Sequence, residues 1–291
     1  MENIQALHHT LSDRLKSYYT PTEADSLARY MLEEVTGKQY PLLILEGYKV
    51  SDFERDRLEE MTIRLLEHEP WQQIIGYTDF CDLRIHVTPD VLIPRPETEE
   101  LCLRIRERCT LPPGAHILDA GTGSGAIAIA LAHFFPTAEV TALDLSVAAL
   151  QVASDNAHRL GLTNITFRQA DLRSHTPDTP LDLIVSNPPY VLESEQSQMA
   201  PHVLEREPHA ALFVPDDDPQ LYYRLLLQRV VPALRPGGII ALELNHHTAL
   251  ETSRLYQSAG LDTELLQDFR GLSRFLFAQK TTSQPTPKPC L

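Results

Sequence analysis

The chain has 291 residues, 43% of them hydrophobic and 22% charged, which excludes a chain that is disordered throughout. At roughly 100–200 residues per domain, this length predicts two domains with enough chain to bury a sizeable core. The formal net charge of −15 gives no global attraction for the phosphates of nucleic acids, although it does not exclude a local basic patch.

Targeting and redox signals are missing from the sequence. No stretch approaches the ~18 consecutive apolar residues that a membrane helix needs, and the polar N-terminus lacks the apolar core of a signal peptide. The four cysteines form no Cys-x-x-Cys pair, so we expect buried or half-buried free thiols and neither a metal nor a redox site. These features predict a cytoplasmic protein with no membrane partner.

Residues 1–75 have the apolar periodicity of helices. One helix is predicted near the start, a second over Pro21–Gly37, and a third over Ser51–Glu67, where Ser51 and Glu54 form a capping box. No catalytic pattern appears in this stretch. We therefore expect a small helical bundle that recognises a partner.

Residues 76–95 change in character and are predicted to form a hairpin linker. Residues 77–93 alternate, with aromatic and β-branched side chains, which is typical of a hairpin. The sequence Leu-Ile-Pro-Arg-Pro-Glu-Thr-Glu-Glu-Leu follows from Leu92. Its prolines flank Arg95, and its acids fill the first turn of a predicted helix.

Residues 96–280 alternate between strands and helices. The predicted strands are 115–120, 139–143, 165–169, 181–186 and 239–244, the predicted helices are 126–134, 147–160 and 220–234, and two more strands lie within 263–279. This order predicts an α/β fold, an open and mostly parallel sheet with helices on both faces. The proline-rich tail, residues 281–291, is predicted to be disordered.

A glycine-rich turn joins the first of these strands to its helix. It runs from Asp119 through Gly121, Thr122, Gly123 and Ser124 to Gly125. Glycines let the backbone turn sharply and approach a ligand, and the following helix supplies free N–H groups. The spacing differs from the dinucleotide fingerprint. The acid before the glycines opposes a pyrophosphate and suits a cationic ligand, such as a sulfonium with an α-amino group.

Two further acids end the next two strands. Asp144 stands where a carboxylate can accept hydrogen bonds from a ribose diol. Together with the glycine turn, it resembles the class I S-adenosylmethionine-dependent methyltransferases. The resemblance implies a Rossmann-like, mostly parallel seven-stranded sheet with S-adenosyl-L-methionine as cofactor. Asp171 falls where such enzymes often place an acid near the adenine amino group, but a surface turn explains it equally well.

The sharpest motif, Asn187-Pro188-Pro189-Tyr190, ends the fourth strand. The prolines make the turn rigid, so the Asn187 side-chain carbonyl and the Pro188 backbone carbonyl can accept both hydrogens of one –NH2 group. Tyr190 can stack on a planar group. The two acceptors would position a conjugated, poorly nucleophilic nitrogen and favour its pyramidal form. The motif resembles that of methyltransferases acting on adenine or on glutamine amides.

Several shorter motifs separate these two substrates. They are Glu69-Pro70 with Gly76 and Phe80, the linker Leu92–Glu99, Arg206-Glu207-Pro208 with Ala211-Leu212, and Asp268–Gly271 with Arg274. Over about residues 5–280 the chain resembles the peptide chain release factor glutamine N5-methyltransferases, the PrmC/HemK family. This implies methyl transfer from S-adenosyl-L-methionine to the glutamine amide in the Gly-Gly-Gln loop of class I release factors, in translation termination. The product would be S-adenosyl-L-homocysteine, and no metal is implied.

The family's functional residues carry over onto matching positions. The cofactor contacts fall on Gly121, Thr122, Gly123, Ser124, Gly125, Asp144, Asp171, Leu172 and Asn187. The substrate-binding residues are Asn187, Pro188, Pro189 and Tyr190, of which Asn187, Pro188 and Tyr190 are the catalytic ones. Two positions depart from the family pattern. Leu172 replaces a frequent aromatic residue, which leaves only apolar contact with adenine. Asn245 stands where many members have glycine, so we expect a different loop shape there.

Other enzymes share this loop. A ribosomal protein glutamine N5-methyltransferase usually has Pro-Arg-Ser in the linker, where this chain has Pro94-Arg95-Pro96. An adenine-N6 methyltransferase of DNA or RNA would need a basic surface, but acids outnumber bases by six in residues 1–76 and by ten in 77–280. A nucleotide-binding module without catalysis would leave the Asn-Pro-Pro-Tyr loop unexplained. We expect a release factor as partner, no direct nucleic acid, and a monomer.

Overall fold

The computed structural model describes residues 3–281, which fall into two compact units. The first contains the chain up to Gly76 together with Ala200–Arg206, and the second contains the remainder. The helices are α1 (Ile4–Leu15), α2 (Pro21–Thr36), α3 (Tyr40–Leu45), α4 (Asp52–Leu66), α5 (Trp71–Ile75), α6 (Pro96–Arg108), α7 (Ala126–Phe134), α8 (Val147–Arg159), α9 (Pro201–Arg206), α10 (Leu221–Leu225) and α11 (Ala249–Ser258). The strands are β1 (Tyr77–Phe80), β2 (Leu83–His86), β3 (His116–Ala120), β4 (Glu139–Asp144), β5 (Ile165–Gln169), β6 (Leu181–Ser186), β7 (Val191–Leu192), β8 (Phe213–Val214), β9 (Leu234–Glu243), β10 (Leu261–Gln267) and β11 (Ser273–Lys280).

Two predictions concern the ends of the chain and the membrane. The predicted disordered tail lies, from residue 282 on, outside the described residues. Among the helices of residues 3–281, none combines the length and the apolar composition needed to cross a membrane.

The first unit is a helical bundle with a core of mainly leucine, methionine and alanine side chains. Capping boxes open α2 and α4, formed by Thr20 with Glu23 and by Ser51 with Glu54, and the second of these confirms the prediction. Gly37 ends α2 in the left-handed conformation with φ 66°, also as predicted. The short helices α3 and α5 were not predicted, because five or six residues are too few to display helical periodicity.

The second unit is built on a seven-stranded sheet in the order β10-β11-β9-β6-β3-β4-β5. The last five strands of this order run parallel, and β10 and β11 form an antiparallel hairpin at one edge. One apolar cluster packs α6 and α7 on one face, and another packs α10 and α11 on the opposite face. The predicted α/β class is confirmed. Because β4 and β6 flank β3 on opposite sides, a crevice is expected at the carboxyl ends of these strands.

The predicted hairpin is shorter than expected and ends at His86. Its two-residue turn, Cys81-Asp82, has φ values of 52° and 61°, the pattern of a type I′ turn. Phe80 and Ile85 are buried in a core cluster of the second unit. The hairpin thus contributes apolar side chains to the unit that contains the large sheet.

The second unit also differs from the prediction at α10, β9 and α11. The helix predicted over 220–234 is α10 followed by one π turn and one 3₁₀ turn, where Pro232 supplies no N–H group. Strand β9 starts at Leu234, five residues earlier than predicted. Helix α11 was missed because Thr252 and Ser253 occupy two of its four buried positions, which hides the apolar face.

Candidate active site

A cavity of about 340 Å³, within the size range of small-molecule sites, lies at the carboxyl ends of β3, β4 and β6. The predicted site residues that line it are Gly121, Thr122, Gly123, Ser124, Asp144, Asp171, Leu172, Asn187, Pro188 and Pro189. The predicted residues Gly125 and Tyr190 are not among its lining residues. The fold therefore brings the cofactor and substrate candidates from four separate loops to one place.

The glycine loop after β3 is held by β4. The N–H groups of Gly121 and Thr122 both donate to the carbonyl oxygen of Leu143 at 2.8 Å. The N–H of Gly123 donates to Asp144 Oδ2 at 2.8 Å. Gly123 has φ 53°, in the left-handed region that favours glycine, so the loop takes this shape without strain. The loop and the acid after β4 thus form one hydrogen-bonded unit.

Gly125 serves packing rather than the cavity. It has φ 84°, and a Cβ built on it would lie 2.9 Å from Ala153 Cβ and 3.1 Å from Ile129 Cδ1. Real Cβ atoms do not approach this closely, so only glycine lets α7 start next to α8. The predicted cofactor contact of Gly125 stays a prediction.

Asp144, which ends β4, and Asp171, which follows β5, are bound differently. Asp144 accepts one backbone hydrogen bond on each carboxylate oxygen, from Gly123 and, at 2.9 Å, from Ser146. Each oxygen has a further lone pair, so a diol in the cavity can still be bound. Asp171 caps its own turn by accepting from the N–H of Arg173 at 2.8 Å. Leu172, between these two, adds an apolar surface to the cavity wall.

Asp119 is fully buried at the end of β3. Its Oδ2 accepts from Thr122 Oγ1 at 2.6 Å and from the N–H of Ala128 at 3.1 Å, whereas no partner is recorded for Oδ1 within the described residues. Burial raises the pKa of Asp119 to about 7, although the two hydrogen bonds oppose the shift. The sequence suggested a carboxylate aimed at a cationic ligand. In the structure the hydrogen bonds that this side chain accepts hold the glycine loop and the first turn of α7 in place.

The Asn-Pro-Pro-Tyr loop is anchored by its two end residues. Asn187 Nδ2 donates to Thr98 Oγ1 at 3.0 Å, and Thr98 Oγ1 donates to Glu243 Oε2 at 2.7 Å. The Tyr190 hydroxyl donates to Glu243 Oε1 at 3.1 Å, and the Tyr190 carbonyl accepts from Asn245 Nδ2 at 3.1 Å. Both ends of the loop are therefore linked by hydrogen bonds to the buried carboxylate of Glu243. The two prolines between them line the cavity.

The ring and the hydroxyl of Tyr190 both have partners within the second unit. Its ring packs against the apolar cluster that includes residues of α10 and α11. Burial raises the pKa of its hydroxyl far above the usual range. Burial also raises the pKa of Glu243, while its hydrogen bonds from Thr98 and Tyr190 lower it. Stacking of Tyr190 on a substrate stays a prediction.

Sequence reasoning missed Thr98, Glu243 and Asn245 as members of the site. Thr98 was noted only as part of the linker motif, and Asn245 only as a departure from the family pattern. Glu243 ends β9, and β9 lies next to β6 in the sheet, so the end of β9 lies near the Asn-Pro-Pro-Tyr loop. The sequence alone did not give this order of strands, so Glu243 could not be placed in the site.

The linker before α6 is held by an ion pair whose carboxylate is buried. Arg95 Nη2 lies 2.6 Å from Glu207 Oε1, and Glu207 Oε2 accepts from the N–H of Ile93 at 3.1 Å. The side chain of Glu207 is completely buried. Pro94 and Pro208, the neighbours of this pair, both line the cavity. The pair thus fixes one wall of the site.

The charges of the cavity suit a cationic ligand better than a pyrophosphate. Among the lining residues that the structure describes, Asp90, Asp144 and Asp171 are acidic and Arg173 is basic. Apolar side chains, Leu145 among them, complete the wall for a flat aromatic group. These residues fit S-adenosyl-L-methionine. Across residues 3–281, no cluster of three or more His, Cys, Asp or Glu could hold a metal ion.

Comparison with known proteins gives matches over both units. A family model described as "Methyltransferase domain" matches residues 111–269, and one described as "PrmC N-terminal domain" matches residues 5–76. The release factor glutamine methyltransferase of Bacteroides thetaiotaomicron is 39% identical over 272 residues, 91% of this chain and 96% of that protein. That of Flavobacterium psychrophilum is 36% identical, over 90% and 94% of the two chains. A methyltransferase structure from Pyrococcus furiosus, 18% identical, covers 79% of this chain and 100% of its own with a TM-score of 0.51, which shows a shared fold.

Proposed function

The chain belongs to the release factor glutamine methyltransferase family, and from that premise we propose that it methylates the glutamine side chain in the Gly-Gly-Gln loop of class I release factors. The methyl group comes from S-adenosyl-L-methionine and is transferred to the amide nitrogen. The observation that carries the residue assignment is the Asn187-Pro188 pair on the wall of an acidic, partly apolar cavity. The relatives' names support the substrate, and the methyltransferase domain supports the reaction.

The cofactor is assigned to the part of the cavity between the glycine loop and Asp144. The free lone pairs of Asp144 would accept the ribose hydroxyls, and Leu145 and Leu172 would cover the adenine. The glycine loop allows close approach of the amino-acid part. When bound, S-adenosyl-L-methionine supplies an electrophilic methyl group on a sulfonium, and S-adenosyl-L-homocysteine is the product. The assignment involves no metal ion.

The substrate amide is assigned to the Asn-Pro-Pro-Tyr loop. Asn187 Oδ1 and the Pro188 carbonyl oxygen would each accept one hydrogen of the –NH2 group, which aims the nitrogen lone pair at the methyl group. Two acceptors also stabilise the positive charge that develops on nitrogen during attack. Once methylated, the nitrogen is acidic enough to lose its proton to solvent, so no strong base is needed. Pro189 shapes the loop, and we assign Tyr190 to its support through Glu243.

The first unit is assigned to recognition of the release factor. Its described residues form no candidate catalytic cluster, but they expose large apolar side chains, Phe53 at 74% and Leu45 at 82%. Deleting residues 1–75 would also leave Ala200–Arg206 without the rest of the first unit. Point variants are therefore the better test. Phe53→Ser and Leu45→Ser should raise KM for the intact factor and leave the rate on a short Gly-Gly-Gln peptide unchanged. An unchanged KM for the factor would contradict this assignment.

The proposed function is tested by transfer of labelled methyl from S-adenosyl-L-methionine to purified release factor, ribosomal protein or DNA in parallel. Label on the release factor supports the proposal. Label on the ribosomal protein or on adenine would instead identify one of the two enzymes that share the loop. We place the reaction in the cytoplasm, and we expect a monomer because one copy of the chain supplies every candidate residue.

A further inference from the structure

A chain of hydrogen bonds leads from the cavity wall into the interior of the second unit. It runs from Asn187 Nδ2 to Thr98 Oγ1 over 3.0 Å and from Thr98 Oγ1 to Glu243 Oε2 over 2.7 Å. The Tyr190 hydroxyl donates to the second oxygen of Glu243 at 3.1 Å. Thr98 is 5% exposed and Glu243 is 1% exposed, so water competes little for these groups. Asn187 and Thr98 both line the cavity.

The number of available protons decides which group donates in each of these hydrogen bonds. The Thr98 hydroxyl has one proton, and it donates that proton to Glu243 Oε2. Thr98 Oγ1 is then left with lone pairs toward Asn187, and it needs a donor there. If the amide of Asn187 were turned over, two acceptor oxygens would face each other at 3.0 Å. The amide therefore points its –NH2 group inward.

The other edge of the Asn187 amide is its carbonyl oxygen. With –NH2 bound to Thr98, Asn187 Oδ1 is the atom left for the substrate. The neighbouring acceptor is the Pro188 carbonyl oxygen, which has no N–H beside it. The site then offers two acceptors to whatever group enters. A primary carboxamide supplies two N–H donors to match them, whereas a carboxylate supplies none and is repelled.

We propose that Thr98 and Glu243 are positioning residues that set which edge of the Asn187 amide faces the substrate, and that they thereby select glutamine over glutamate. This rests on the proposed function, since it concerns the same amide site. Neither residue contacts the reacting atoms, and both act through Asn187. Tyr190 and Asn245 complete the arrangement by holding Glu243 and the loop in register.

Three variants test the proposal. Thr98→Val keeps the shape but removes the hydroxyl, and Thr98→Ser keeps the hydroxyl. Thr252→Val is the matched control, because Thr252 is fully buried in α11 and its hydroxyl donates to Gln220 and Thr248 away from the cavity. We expect Thr98→Val to lower kcat on the full-length release factor by about 10- to 100-fold, with an unchanged Kd for S-adenosyl-L-methionine. Thr98→Ser should restore kcat to within about threefold of the wild type, and Thr252→Val should keep kcat.

A second readout separates positioning from a general loss of structure. The probe is a release factor whose loop glutamine is replaced by glutamate, used as an inhibitor. The wild type should bind it weakly. In Thr98→Val the freed Asn187 amide can turn its –NH2 group outward, so affinity for the glutamate factor relative to the glutamine factor should rise by about 10-fold. A purely structural defect would weaken both factors alike.

Each outcome decides the matter. A Thr98→Val enzyme with wild-type kcat, a Thr98→Ser enzyme as slow as Thr98→Val, or an unchanged ratio of the two factor affinities would overturn the proposal. If Thr98→Val fails to fold, Thr98→Ala gives the same test, because it also removes the hydroxyl that accepts from Asn187. Absence of transfer by the wild type would refute the proposed function instead, so the two failures are distinguishable.

Discussion

Replacing Asp119 with asparagine should change how the stability of the second unit depends on pH. The side chain is fully buried beneath the glycine loop, and burial raises its pKa to about 7 from the ordinary value of 3.8. Between these two values the carboxyl is protonated in the folded chain and ionised in the unfolded chain. The folded state then binds more protons, so stability falls as the pH rises through this window and levels off above it.

The size of the effect follows from the two pKa values. Between pH 5 and pH 8 the linkage relation gives a loss of about 3 kcal/mol of unfolding free energy from this one group. Asp119→Asn has nearly the same shape and does not titrate. The difference in unfolding free energy between the variant and the wild type should therefore shift by about 3 kcal/mol in favour of the variant from pH 5 to pH 8. This shift does not depend on which of the two proteins is more stable at pH 5.

The assay is urea unfolding of the cofactor-free protein at several pH values. The single tryptophan, Trp71, belongs to the first unit, so its fluorescence does not report on this site. Far-UV circular dichroism and hydrogen exchange of the β3 amides follow the sheet. Asp155→Asn, which changes an exposed carboxylate on α8, controls for the change of charge. Parallel stability curves for wild type and Asp119→Asn from pH 5 to pH 8 would refute a neutral, buried Asp119.

Three further changes test the packing and electrostatics of the site. Gly125→Ala should lower stability by about 1–3 kcal/mol, because its Cβ would lie 2.9 Å from that of Ala153 at φ 84°, and a thermal melt with unchanged Tm would contradict this. Asp144→Ala should raise the Kd for S-adenosyl-L-methionine by about 10-fold or more, as two hydrogen bonds to the ribose are lost, and calorimetry with an unchanged Kd would exclude that contact. Glu207→Gln should cost about 2 kcal/mol in urea unfolding, because a neutral amide replaces the buried carboxylate that pairs with Arg95, and equal midpoints would show that the charge contributes nothing.

The sequence was most informative where local chemistry decides the structure. The glycine turn, the acid after β4 and the Asn-Pro-Pro-Tyr loop each follow an apolar strand, and parallel strands bring such loops to one edge of a sheet. Ten of the predicted residues therefore line one cavity. The cap formed by Ser51 and Glu54 was predictable for the same reason, since it depends on residues three positions apart.

What the sequence could not supply depends on long-range packing. Glu243 and Thr98 are 145 residues apart in the chain and meet only because β9 lies beside β6 and α6 packs over that end of the sheet. The cofactor contact of Gly125 stays a prediction, and the close approach of Ala153, which also requires glycine there, was not foreseen. Stacking of Tyr190 on the substrate stays a prediction, and the hydrogen bond of its hydroxyl to the buried Glu243 was not foreseen. Neither neighbour is visible in a local motif.

The most direct test of the account locates the transferred methyl group. Release factor incubated with the enzyme and S-adenosyl-L-methionine is digested, and the peptide that carries the Gly-Gly-Gln loop is sequenced by mass spectrometry. We predict one methyl group on the side-chain nitrogen of that glutamine, and its loss with Asn187→Ala. A methyl group elsewhere on the factor, or undiminished methylation by Asn187→Ala, would contradict the assignment of Asn187 and its loop as the amide-binding site.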